Sequence, residues 1–204
     1  SVTHIVVHLV DYFRDSPSLP TVAEDGWGRT GATDHLWTAE ALQRLREEIN
    51  AEGLDLAAIE NFDPAHWHDV LLDGPRKAEQ IEHLKTIIRN VGPAGIPVIG
   101  YNFSIAGVWG HVRGPYARGG APTVGFLGED GPAETPIPQG MVWNMVYDPD
   151  APFGSIGSVT HEQLWERLTY FLNELVPVAE EAGVGLAAHP DPPPPPAPRG
   201  HARP

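Results

Sequence analysis

The chain has 204 residues, 41% apolar and 20% charged, the make-up of a folded globular domain rather than a disordered or fibrous protein. Its formal charge of −14 argues against nucleic acid or an anionic membrane surface as partner, and no apolar run is long enough to span a bilayer. With no cysteine, it offers neither disulfides nor thiolate ligands.

Residues 4–10, "HIVVHLV", are almost continuously apolar. This predicts a parallel strand covered on both faces, with His8 and Asp11 at its end. Residues 38–53, "TAEALQRLREEINAEG", place Leu42, Leu45 and Ile49 on one helical face, with Thr38 as N-cap and Gly53 as stop. Residues 54–61, "LDLAAIEN", form a second strand that delivers Glu60. Residues 74–92 repeat the helical pattern through Ala78, Ile81, Leu84, Ile88 and Val91. Residues 96–103, "IPVIGYNF", give a third strand ending at Asn102. Residues 160–183 predict a helix with a Thr160–Gln163 capping box, a stripe of Leu164, Leu168, Phe171, Leu172 and Leu175, and a bend at Pro177. Residues 184–190, "VGLAAHP", form a fourth strand that ends on His189.

This alternation predicts an α/β chain with parallel strands and right-handed crossovers. Residues 104–159 are the exception. Eleven glycines and seven prolines there disfavour long helices, so the segment is expected to act as a lid or assembly arm over the strand ends or against a neighbouring subunit. The expected organisation is one domain over residues 1–190 that includes this insertion, followed by a proline-rich tail over 191–204. No signal peptide is legible, and a cytoplasmic protein is the expectation.

Every predicted strand ends in polar groups, and in parallel α/β folds ligands bind at those ends. The candidate set is His8, Glu60, Asn102 and His189, with Asp63, His66, His68, Asp69 and Asp191 just beyond the strands. Each has a second reading. His8 reads equally as a core histidine, and Asn102 as the closure of a turn. One of His66 and His68 reads as a solvated loop residue. Glu60 at a buried strand end requires a partner or a ligand. Trp109, His111 and Arg113 read either as lid packing or as substrate contacts, Arg113 by gripping a carboxylate through two hydrogen bonds. His189 is the strongest single metal-ligand candidate. No phosphate loop, dinucleotide fingerprint or nucleophile elbow is present.

Three stretches carry a family resemblance: "IENFDPAHWHDVLLDGPRKAEQIEHLKTIIRNVGPAGI", "GYNFSIAGVWG" and "NELVPVAEEAGVGLAAHPD". Together they resemble mannonate dehydratase, a (β/α)8 TIM barrel of the xylose-isomerase-like group. The resemblance implies metal-dependent dehydration of D-mannonate to 2-keto-3-deoxy-D-gluconate, with Mn2+ or another divalent ion such as Fe2+. It implies a small anionic sugar-acid substrate that Glu60, Asn102, Trp109, His111 and Arg113 would contact. It makes His189 one of several metal ligands and leaves the catalytic acid and base unassigned. The family pattern His-Pro-Asp-Asp-Pro-Pro is altered here, with prolines in place of the second Asp. The resemblance further implies a partial barrel, about four strands of eight, whose other ligands lie beyond Pro204. Exposed strand edges would then favour a homo-oligomer. Two alternatives stand beside this reading: a sugar isomerase or epimerase on the same barrel, and a non-catalytic partial barrel serving as a binding or assembly module.

Overall fold

The computed structural model describes residues 2–10, 28–31, 33–107, 111–126 and 136–189. In chain order these form β1 (His4–Val7), β2 (Gly28–Arg29), α1 (Ala39–Ala51), β3 (Asp55–Ile59), α2 (His68–Leu72), α3 (Lys77–Val91), β4 (Val98–Tyr101), β5 (His111–Gly114), β6 (Thr123–Phe126), β7 (Met141–Val142), β8 (Met145–Val146), α4 (His161–Ala182) and β9 (Gly185–Ala188).

The four expected strands lie side by side in the order β1-β3-β4-β9, all parallel. That order follows the chain without reversal. Leu56 and Ile59 of β3, set three apart by a shift in its register with β1, and the alternate residues Ile99 and Tyr101 of β4 are buried in one core cluster with residues of α1, α3 and α4. Ile5, Val7 and Leu186 pack against the same cluster. The helices therefore cover one face of the sheet. A doubly wound fold reverses its strand order and has helices on both faces, so this is the layout of part of a (β/α)8 barrel.

The expectation that the first strand is covered on both faces is not met. β1 is an edge strand of the sheet, and Val6, which points away from the helices, is 52% exposed. At a helix-lined edge, an apolar run marks one buried face rather than two.

The helices form where the pattern places them. Thr38 caps α1 by accepting from the Ala41 N–H, and Gly53, at φ 74°, takes the left-handed turn after its end. The Thr160–Gln163 capping box starts α4, and Gly183, also left-handed, stops it. The helix continues through Pro177. In α3, Ile81, Leu84, Ile87, Ile88 and Val91 are buried, whereas Ala78 is exposed. Gln80 is buried in its place, because its side-chain oxygen accepts from the Asp69 N–H at 2.8 Å. Phe171 of α4 is fully buried, with ring centroids 5.1–5.4 Å from Tyr101, Trp67 and Phe103.

The described parts of residues 104–159 are largely strand and turn. β5 and β6 pair antiparallel, and β2, β8 and β7 form a three-stranded sheet. Ile105, Ile137, Met141, Val142 and Val146 join the main core, so this part of the insertion folds back onto the body. The turn between β7 and β8 holds Trp143 and Asn144 at φ 48° and 61°, the arrangement of a two-residue hairpin turn with both central residues left-handed. The Trp143 N–H donates to the Ile105 carbonyl at 2.9 Å. Gly107 has to be glycine: it sits at φ 69°, and a Cβ there would lie 1.9 Å from the Asn144 side-chain oxygen.

Replacing Phe171 with Ala is expected to cost about 3–5 kcal/mol, while Trp165→Ser on the same helix, at a position 46% exposed, stays within about 0.5 kcal/mol. Urea unfolding of the two variants checks this. Equal losses would show that Phe171 is not at the centre of the core.

Candidate functional site

Each of the four strands is followed directly by a polar residue: Val7 by His8, Ile59 by Glu60, Tyr101 by Asn102 and Ala188 by His189. The buried residues Ile59 and Tyr101, and Val7 packed on the core, face the helices, so the residue after each has the parity of the opposite face. Backbone pairing persists past the strand ends: the Glu60 N–H donates to the Val7 carbonyl and the His189 N–H to the Tyr101 carbonyl, both at 2.8 Å. The strand order thus places all four residues along one edge. At Gly100 a Cβ would lie 2.1 Å from the Glu60 carbonyl oxygen, so glycine permits the close approach of β4 to the end of β3.

His8 Nε2 contacts the Glu60 carboxylate, and both side chains are about one-third exposed. Glu60 therefore has the partner its position demands, and the core reading of His8 does not hold. Asn102 is buried, and His189 is exposed. Beside Asn102 lies a small cleft walled by Asn61, Phe62, Trp67 and Trp143. The Asn61 side-chain oxygen is buried in this region without a hydrogen-bond partner. Sequence reasoning passed over Asn61, although its place next to Glu60 was a usable signal. Trp109 and Asp191 lie outside the described residues, as does Asp11. His111 and Arg113 lie in β5, opposite Phe126 and Val124, and only their backbone is described.

The stretch after β3 is not an open loop. It forms a 3-10 turn at Pro64–His66 and the short helix α2, too brief for any helical period to show. Asp63 is fully buried and accepts from the Thr30 and Thr33 hydroxyls and from the Ala65 N–H at 2.9 Å. Asp69 is buried too, accepting from the Arg76 N–H at 2.8 Å and lying 3.0 Å from His68 Nδ1. His68 stacks on Tyr147 at 3.9 Å with the rings 6° from parallel. Neither His66 nor His68 is the solvated loop residue expected, since their side chains are only 5% and 13% exposed. Burial pushes both imidazoles below their ordinary pKa, against the opposing pull of Asp63 on His66 and of Asp69 on His68.

Among the described residues, one group of three imidazole or carboxylate donors converges closely enough to hold a metal ion: Asp34, His66 and His83. It shares no residue with the strand-end set. There, the donor chemistry of His189 suits one metal ligand, but the described residues around it do not complete a three-donor group. No described helix is long and apolar enough to cross a membrane.

Monotonic parallel strands, helices on one face and polar residues at every strand end define part of a (β/α)8 barrel. The family model for D-mannonate dehydratase (UxuA) matches residues 29–119 and 137–203, and the chain belongs to that family. Mannonate dehydratase of Streptococcus pneumoniae (strain 70585) is 35% identical over 164 residues, 76% of this chain and 44% of the relative. That of Streptococcus agalactiae serotype Ia is 30% identical over 163 residues. The crystal structure of mannonate dehydratase from Streptococcus suis serotype 2 superposes with a TM-score of 0.59 at 31% identity, covering 82% of this chain and 44% of that one. The chain thus spans a little under half the length of the relatives it matches.

Two outcomes are expected here. Asp63→Ala strands the Thr30 and Thr33 hydroxyls and the Ala65 N–H, and should lower stability by about 1–3 kcal/mol in urea unfolding. The second concerns pH. His66 and His68 titrate below the unfolded value in the folded chain, so the unfolded state binds more protons on acidification. Their stabilising effect is complete above about pH 6.5 and is lost as pH falls below it. In metal-free buffer the urea midpoint should fall from pH 7 to pH 5, less steeply in His68→Gln. An identical slope in that variant would exclude His68 as a contributor.

Proposed function

We propose that this chain supplies one side of the active site of a mannonate dehydratase, a hydro-lyase that converts D-mannonate to 2-keto-3-deoxy-D-gluconate. The observation that carries the reading is the convergence of His8, Glu60, Asn102 and His189 on one edge of a parallel sheet, in a chain of this family.

Loss of water from a sugar acid requires removal of the weakly acidic proton beside a carboxylate, and then departure of a hydroxyl. A divalent ion, manganese or iron(II), would supply Lewis-acid stabilisation of the charge that develops beside that carboxylate. His189 would hold that ion as one ligand among several. Its backbone is held at the strand end by the bond from its N–H to the Tyr101 carbonyl. Glu60 is oriented by His8, and its carboxylate, about one-third exposed, is placed to accept hydrogen bonds from sugar hydroxyls. Asn102 and Asn61 offer amide groups at the wall of the adjoining cleft, where Phe62, Trp67 and Trp143 limit entry of water. Trp109, His111 and Arg113 belong to the segment that follows β4, and Arg113 is assigned to the substrate carboxylate. Residues 104–159 serve as the lid of this edge. Among the described residues β1 and β9 are the outer strands of the sheet, and their unpaired edges would favour assembly with further strands or subunits.

The test is formation of 2-keto-3-deoxy-D-gluconate from D-mannonate and manganese by the native gene product that carries this chain, with and without His189→Ala. The substitution should reduce turnover at least about a hundredfold. Full activity in the variant would refute the ligand assignment. Isomerised or epimerised product would replace the lyase reading with that of a sugar isomerase or epimerase. The 204 residues alone are expected to be inactive.

A further inference from the structure

We propose that Asp34, His66 and His83 form a divalent transition-metal site that clips the turn before α1 and the connection after β3 to helix α3. The three residues come from separate elements. Asp34 opens the 3-10 turn Asp34–Leu36, His66 closes the turn Pro64–His66, and His83 lies in the second turn of α3. Their donor atoms all lie within 4.8 Å of one another. Asp34 Oδ1 is 3.0 Å from His66 Nε2 and 3.5 Å from His83 Nε2. A tetrahedral ion with bonds of about 2.0–2.1 Å sets its ligands about 3.3 Å apart, between those two distances.

A proton-linked histidine–carboxylate network is the competing account, and the geometry disfavours it. His66 is 6% exposed; its Nε2 lies at hydrogen-bonding distance from Asp34 Oδ1 but poorly aligned for a bond, and its Nδ1 has no partner. His83 Nε2 is likewise shielded from solvent without one. Buried polar atoms are normally satisfied, and a shared cation would satisfy both imidazoles and the carboxylate at once. The two rings meet edge to face at 4.7 Å and 73°, so they do not stack, and the Nε2 atoms converge on the same oxygen. Trp37 walls the inner side, with its ring centroid 5.9 Å from that of His66. Burial also keeps His66 in the neutral form that ligation requires.

Asp34 is 71% exposed, which leaves an entry path and a fourth position open to water. Two imidazoles and one carboxylate suit zinc, cobalt or nickel rather than calcium or magnesium, which prefer all-oxygen shells. Bridging residues 34, 66 and 83 would close two loops of the chain around one ion, a restraint on the unfolded state as well as a clip on the folded one.

The test is a cobalt(II) titration of the protein carrying His189→Ala, which removes the strand-end ligand. One equivalent is expected to bind with the intense visible absorption of a tetrahedral site, and zinc should displace it. Asp34→Asn and His83→Gln alter exposed or half-exposed side chains, so the fold should persist, as circular dichroism would verify. Each should weaken cobalt binding at least tenfold. Absence of tetrahedral cobalt in the His189→Ala background would overturn the proposal, as would an affinity that both variants leave unchanged. The strand-end reading is tested separately, by loss of mannonate turnover in His189→Ala, so either can fail without the other.

Discussion

The organisation depends on covering the sheet from one side. α1, α3 and α4 bury residues from one face of four parallel strands around Ile59, Ile99, Tyr101 and Phe171. Once that face is committed to the helices, the two-residue period of the strand sends the next residue the other way. Because the strands are parallel, their ends fall on one edge, and the residues just past those ends are His8, Glu60, Asn102 and His189. The polar edge is thus a geometric consequence of how the apolar residues are buried.

Around this edge the chain uses buried polar groups to hold its connections. Asp63 gathers two threonine hydroxyls and a backbone N–H, tying residues 30 and 33 to the turn after β3. Asp69 and Gln80 join α2 to α3. The β7–β8 turn is fastened to the end of β4 through Trp143 and Ile105, and Gly107 leaves space for Asn144. Buried hydrogen bonds cost little when complete and much when broken, so such connections are specific as well as stable.

The negative charge of the chain gives the polar edge a further constraint. A formal charge of −14 repels anions at long range, so any anion drawn to this edge must be attracted locally. At the described edge the one carboxylate, Glu60, is in contact with His8 rather than left unpartnered. Membership of the D-mannonate dehydratase family is consistent with an edge of this kind.

The four strands, the three long helices, their caps and the strand-end positions were legible in the amino-acid sequence, because each follows from a local period or a capping residue. Thr38, Thr160, Gly53 and Gly183 act within a few residues of themselves, and "YNF" and "AAHP" announce strand ends by the change from apolar to polar. What lay beyond reach depended on distant partners. Exposure of Val6 is decided by which strands flank β1, and burial of Gln80 by Asp69, which a surface helix pattern does not contain. Asp34, His66 and His83 are separated by 32 and 17 positions and carry no spacing motif; only the packing of two turns against α3 brings their donor atoms together. Local periodicity specifies elements and the faces they bury, whereas the meeting of side chains from different elements is fixed by how those faces pack.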